Sequence, residues 1–321
     1  MKSKIVLISP AAANANNGNW HTAHRWAKFL SGHCDIEVAQ HWNREVADAA
    51  LMIALHARRS APSIAAWAAQ YPDRPLVLVL TGTDLYRDIR SDSDAIASLQ
   101  SATHLVVLQD AGLAVLPADL QGKTRVIYQS APRLKPALKS TKNFTAVMVG
   151  HLRDEKDPLT FMQAAGLCRL KNIRFDQIGD GLDAKLASAA NQTAAAQPNY
   201  RWLGGLPRAQ TRQCIKNAHV LVNCSWMEGG AHVILEAVQS GTPVLASRIS
   251  GNIGMLGTGY SGYFDAGDAA ALAALVKRCA TEPAFLTHLQ IQCSQRAQLF
   301  DPAVEKRLVL NLVTSVLKRP L

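Results

Sequence analysis

Short apolar runs rich in valine, isoleucine and leucine punctuate the first half of the chain, at residues 5–8, 51–55, 76–80, 105–108 and 126–128. Mixed apolar and polar stretches of helical period lie between most of them, near residues 20–30, 63–70 and 95–102. A strand that is apolar on consecutive positions has both faces covered. Such strands alternating with helices therefore predict a parallel α/β sheet with helices on either side. The alternation breaks around residues 129–142, where Pro132, Pro136 and several lysines mark a linker. It resumes at residues 146–149, 173–178, 219–222 and 243–246, a second domain of the same class with no sequence repeat relating the halves. The last segment, residues 302–318, carries Pro302 at a first helical position and Val304, Leu308, Leu312 and Val316 on one face, which predicts an amphipathic helix.

One stretch of the second domain carries candidate chemistry. Glu228, Gly229, Gly230, Ala231, His232 and Val233 lead through Ile234 and Leu235 to Glu236. Gly229 and Gly230 let a backbone approach a ligand closely, and the N–H groups of a helix starting near His232 and Val233 favour an anion. Eight residues of helix rise roughly 12 Å, so the two carboxylates suit the two ends of an extended ligand. A nucleotide diphosphate sugar has that shape, with hexose at Glu228, phosphates at the helix start and ribose at Glu236. A buried helix with a flexible start and two incidental glutamates has the same spacing.

Together with Val220 to Ser225 before it and Gly241, Thr242, Pro243, Val244 and Gly251 after it, this block resembles the Glu-x7-Glu signature of retaining GT-B glycosyltransferases of the family 4 type. The resemblance implies two Rossmann-like domains facing a cleft: an acceptor domain over residues 1–137, a UDP-sugar domain over 138–300, and a helix over 301–321 that crosses back to the first. It also implies that a cation pair after the first strand of the second domain binds the donor diphosphate. Lys156 matches that pattern. The family's arginine position is His151 here, with Arg153 two residues later as a substitute. Gly179, Leu203 and Gly204 correspond to the turns beside the nucleotide. Gly179 also opens a G-x-G-x-x-A match ending at Ala184, but no acidic residue follows about twenty positions on, which excludes a nicotinamide-binding turn.

Composition narrows the picture. The 321 residues are 48% hydrophobic, enough for two modest cores, and the six cysteines have neither C-x-x-C nor zinc spacing, as expected of reduced cytoplasmic thiols. A formal net charge of +10 allows nucleic acid, a membrane surface or small anions as partners. The basic residues are dispersed and no nucleic-acid motif is present, so small anionic ligands are expected. The apolar run at the N-terminus is too short for a signal peptide and no later run reaches membrane-spanning length; membrane association is not expected. No Asp-x-Asp motif supports a bound metal, and no cofactor is expected beyond the substrates themselves.

The first half supplies the candidate acceptor side. A loop with Asn14, Asn16 and Asn17 runs into Gly18 and Asn19, suited to a diphosphate or a second anion. Strand ends bring His56, Arg58 and Arg59, then Thr83, Asp84 and Arg87, a basic set with Asp84 as the carboxylate available for acid–base work. These segments, with those around Gly150 to Pro158, resemble one branch of the superfamily, the selenosugar synthases of selenoneine biosynthesis, in which His151 is in keeping. That resemblance implies transfer from UDP-N-acetylglucosamine or UDP-glucose to selenophosphate, giving a 1-seleno sugar after phosphate loss, and pathway partners that supply selenophosphate and use the product. It implies Glu228, Asp84 and Lys156 as catalytic residues. The donor would lie on Gly18, His151, Arg153, Lys156, Gly179, Leu203, Gly204, Glu228, Gly229, Gly230, Ala231, His232, Val233 and Glu236; the acceptor on Asn19, His56, Arg58, Arg59, Thr83, Asp84 and Arg87. An ordinary family 4 enzyme with a hydroxyl acceptor on a glycan or lipid, and a nucleotide-sugar protein that hydrolyses, epimerises or only binds, are the alternatives.

Overall fold

The computed structural model describes residues 2–10, 18–42 and 48–318. The chain forms two compact units, one built from Met1–Gln129, Glu228–Gly230 and Pro302–Leu321, the other from Ser130–Met227 and Ala231–Asp301.

The first unit holds six parallel strands: β1 (Lys4–Ile8), β2 (Asp35–Ala39), β3 (Leu51–Leu55), β4 (Leu76–Val79), β5 (His104–Val107) and β6 (Thr124–Val126), in the order β2-β1-β3-β4-β5-β6. Successive side chains of a strand point to opposite faces, and here both faces are core. Val6, Ile8, Met52, Ala54, Leu78 and Val107 enter one apolar cluster, while Ile5, Leu7, Leu51, Ile53, Val77 and Val106 enter the other. That is why these strands read as unbroken apolar runs. Strand β2 escapes this pattern because it is an edge, with Asp35 exposed and its other residues half-buried.

Val309, Leu312, Val313 and Val316 of the terminal helix Pro302–Leu317 join Ala23, Trp26 and Leu30 of the helix Gly18–Leu30 in the second cluster. The C-terminal helix thus returns to the first unit. Of the expected face, Leu312 and Val316 are buried and Val304 and Leu308 half-buried; Glu305, Val309 and Val313 complete the buried stripe.

The second unit has strands β7 (Phe144–Val149), β8 (Ile173–Ile178), β9 (Tyr200–Trp202), β10 (Val220–Asn223), β11 (Val244–Ser247) and β12 (Tyr263–Phe264), again all parallel, in the order β12-β11-β10-β7-β8-β9. The proline-bearing segment before β7 has no helix or strand, and side chains fasten it to this unit. Lys139 Nζ donates to the carbonyls of Lys216 (2.6 Å) and Ala218 (2.7 Å) at the end of the helix Arg208–Asn217, and to Thr242 Oγ1 (3.1 Å).

Strand order reverses between β1 and β3 in the first sheet and between β7 and β10 in the second. Crevices beyond the carboxyl ends of strands at such reversals are where open α/β sheets bind ligands. The described residues there are Ser9 and Pro10 after β1 and the segments following β3, β7 and β10.

Candidate functional site

Beyond β3 the chain turns at His56, whose φ of 71° is left-handed and costs a non-glycine residue about 1–3 kcal/mol. The surroundings hold it there. Its backbone N–H donates to Val79 O (2.9 Å), its Nδ1 accepts from the Arg59 N–H (3.4 Å), and its Nε2 lies 3.1 Å from Thr83 Oγ1. With Nδ1 accepting, the ring proton sits on Nε2 and points at the Thr83 hydroxyl. Burial lowers the imidazole pKa; the nearby Asp84 opposes that shift and Arg59 adds to it. His56 is therefore a buried, neutral imidazole.

Asp84 lies fully buried at the start of the short helix Gly82–Tyr86. Its Oδ1 accepts from Thr81 N (2.8 Å) and Thr81 Oγ1 (2.7 Å), and its Oδ2 accepts from Ala57 N (2.9 Å). The carboxylate thus pins the turn after β3 to the turn after β4. The group is withdrawn from solvent and engaged in holding these two loops.

The arginines converge on a different carboxylate. Asp88, buried, accepts from Arg58 Nε (2.9 Å) and Arg87 Nε (3.0 Å), while the two arginine side chains are 40% and 49% exposed. Burial alone would raise the Asp88 pKa; the two hydrogen bonds outweigh it and hold the carboxyl below its ordinary value. Arg58 Nε also lies 4.0 Å from Asp92 Oδ2, so Arg58 and Arg87, with Arg59 exposed beside them, face Asp88 and Asp92 at the ends of β3 and β4. Asn19 and Gly18 open the helix Gly18–Leu30. The expected loop residues Asn14, Asn16 and Asn17 lie outside the described residues.

Gly229 and Gly230 are needed for an approach of chain to chain. A Cβ on Gly229 would stand 2.5 Å from the Thr81 carbonyl carbon and 2.6 Å from Gly82 N; one on Gly230 would stand 2.8 Å from Leu108 Cβ. Glu228 beside them is 7% exposed. The helix that follows spans only His232–Val238, after Ala231 in an extended conformation, and no side chain caps its start. Glu228 to Ala231 are outside it, so the 12 Å rise expected of one continuous helix does not describe their separation.

In the second unit the ends of β7, β8 and β9 are stitched together. Gly150 N donates to Ile178 O (2.9 Å), Gly179 N to Gly204 O (2.8 Å), Leu203 N to Gln177 O (2.8 Å) and Trp202 Nε1 to Gly179 O (2.9 Å). Gly179 has φ 149°, and a Cβ there would collide with Gly150 O at 2.0 Å. His151 Nδ1 accepts from Asp180 N (3.1 Å). Lys156 ends the turn Asp154–Lys156 with its aliphatic stem over Gly150, and Arg153 is exposed, 4.0 Å from Glu155 Oε2.

Glu236 brings in two residues that pattern reading missed. Its Oε1 lies 3.3 Å from Arg208 Nη2, 3.8 Å from Arg212 Nε and 3.7 Å from His232 Nδ1. Arg208 and Arg212 sit four apart on the helix Arg208–Asn217, on one face. The available signal was two like charges at that spacing just after the Gly204–Gly205 turn, a repulsive pair unless an anion lies between. Among the described residues, no helix is long and apolar enough to cross a membrane.

A family model described as "Glycosyl transferases group 1" matches residues 132–299. Among solved structures, the chain is similar to Anabaena HepE in complex with UDP and glucose (15% identity, TM-score 0.78, covering 98% of this chain and 100% of that one). It is similar to the sucrose-phosphate synthase of Thermosynechococcus elongatus (16%, TM-score 0.77, 99% and 100%). It also resembles the pneumococcal O-GlcNAc transferase GtfA in complex with UDP and GlcNAc (18%, TM-score 0.66, 83% and 57%). At these identities the likeness is one of fold.

Proposed function

The chain belongs to the glycosyl transferases group 1 family, and from that premise we propose that it moves a hexosyl group from a UDP-sugar, UDP-N-acetylglucosamine or UDP-glucose, to selenophosphate. The UDP-sugar donor is supported by relatives of the same fold, HepE with UDP and glucose and GtfA with UDP and GlcNAc. The selenosugar branch is supported by the segments around His56, Thr83 and His151 that resemble it.

In this reading Glu236 holds the ribose hydroxyls and Lys156, Arg153 and the helix start at His232 and Val233 hold the diphosphate. Glu228, with Gly229 and Gly230, positions the hexose. The observation that carries the acceptor assignment is the arginine patch, Arg58 and Arg87 braced on Asp88 with Arg59 beside them. A selenophosphate anion needs cations and orientation and no strong base, because its selenium is already nucleophilic. A selenium lone pair forms the bond to the anomeric carbon while the carbon–oxygen bond to UDP breaks and UDP leaves with its electrons, stabilised by Lys156. Water then cleaves the selenium–phosphorus bond, releasing phosphate and the 1-seleno sugar. Asp84 acts in this scheme by fixing the loops that carry Arg58 and Thr83, and His56 by holding Thr83.

Release of UDP from UDP-N-acetylglucosamine tests the acceptor. Release that depends on selenophosphate supports the proposal. Release that ignores selenophosphate and responds to hydroxyl acceptors would move the protein to the ordinary glycan or lipid transferases.

A further inference from the structure

Glu236 is contested by two arginines of unequal freedom. Arg212 is locked: its side chain is 12% exposed, and Nη2 donates to Pro132 O at 2.6 Å. Its Nε is buried without a hydrogen-bond acceptor among the described residues and stops 3.8 Å short of Glu236 Oε1. Burial lowers its pKa, Glu236 raises it and Arg208 lowers it. Arg208 is loose. It is 42% exposed at the first position of its helix, and it reaches Glu236 Oε1 only through long contacts of 3.3 and 3.4 Å. Such half-solvated pairs contribute little, whereas a buried donor lacking an acceptor is costly.

Two guanidinium groups against one carboxylate leave a cation in surplus beside Glu236. A ligand whose hydroxyls engage that carboxylate competes with both arginines, and the looser one yields first. Resting on the donor assignment above, we infer that Arg208 is a donor-binding residue that swings from Glu236 to the nucleotide's phosphate, while Arg212 is a positioning residue that keeps Glu236 aimed at the ribose. The movement also lets the carboxylate close on the unsatisfied Arg212 Nε. Arg208 is suited to the phosphate because a planar guanidinium binds such oxygens in pairs, and because its stem already stands at the ribose-binding carboxylate.

The test is a set of titrations with UDP, UMP and uridine on the full-length protein, comparing wild type with Arg208→Ala, Arg208→Gln and Arg212→Lys. Arg208 is half exposed, so its variants retain the fold, which their melting temperatures verify. The expected result is that both Arg208 variants weaken UDP and UMP about tenfold or more and uridine less than about twofold. Arg212→Lys weakens all three together, because it acts through Glu236. Equal weakening of the three ligands by the Arg208 variants, or none, overturns the inference while leaving the donor assignment standing. Failure of the wild type to bind UDP overturns the donor assignment itself, and the inference with it.

Discussion

Arg25 and Glu305 meet in a bidentate ion pair, Nε to Oε2 at 2.7 Å and Nη2 to Oε1 at 2.9 Å, with Glu305 fully buried. Trp26 Nε1 adds a third donor to the same carboxylate at 2.8 Å. A glutamate in the apolar stripe of the last helix is stable only because the first helix supplies these partners. Removing one partner of a buried pair leaves an uncompensated charge, which costs about 3–5 kcal/mol. Arg25→Ala is therefore expected to lower unfolding stability by that order, measured by urea titration. A loss below about 1 kcal/mol would show that the pair is not what holds the terminal helix.

Gly229→Ala places a methyl group against the backbone of Thr81 and Gly82, neither of which is the end of a flexible chain. Overpacking of this kind costs about 1–3 kcal/mol. The variant is expected to melt earlier and to lose most transferase activity, since Glu228 is its neighbour. Gly122→Ala is the control: φ there is −61° and a Cβ would meet nothing within 4 Å. If Gly229→Ala behaved like the control, the close approach of the two loops would be absent in solution.

Asp84→Asn turns an acceptor of three hydrogen bonds into a group that must present an N–H to one of its donors. A buried mismatch of that sort costs about 1–3 kcal/mol. We expect a stability loss in that range, with activity falling in proportion and the pH–rate profile keeping its shape. Unchanged stability together with a lost limb of the profile would assign Asp84 the acid–base role instead.

His56, His104 and His219 all have pKa values lowered from 6.5, burial being the largest cause in each. Their unfolded forms bind protons more readily, so the unfolded chain gains protons first as pH falls below that ordinary value. Stability is expected to decline from pH 7.5 to pH 5, to level off below the folded-state values, and to be fully present above the unfolded one. Urea midpoints measured across that window check it, and a flat or rising trend would contradict it.

Much of the architecture was legible because the central strands are buried on both faces. The runs at residues 51–55 and 173–178 coincide with β3 and β8. Strand β2 was invisible because an edge strand alternates polar and apolar residues, and β12 because two residues make no pattern. The run at residues 126–128 starts on the last residue of β6: Ile127 still donates to Val107 O of β5 (3.0 Å), and both Ile127 and Tyr128 are buried. In the site, Glu228 and Glu236 stand out by type and spacing. The glycines between them carry no mark of their partners, since Thr81, Gly82 and Leu108 are remote in sequence. Asp88, which gathers Arg58 and Arg87, carries no mark in the sequence that sets it apart from a surface carboxylate. Arg208 and Arg212 acquire meaning only once the fold brings Glu236 beside them.

The central claim is that a hexosyl group passes from UDP to selenium. The measurement that tests it most directly is an anaerobic incubation of the protein with UDP-N-acetylglucosamine or UDP-glucose and selenophosphate, followed by mass spectrometry for UDP and for the selenium isotope pattern. The account predicts a selenium-bearing hexose or hexosamine that forms with the wild type and is lost with Glu228→Ala. Both UDP-sugars left intact, in the presence of demonstrable UDP binding, would contradict it.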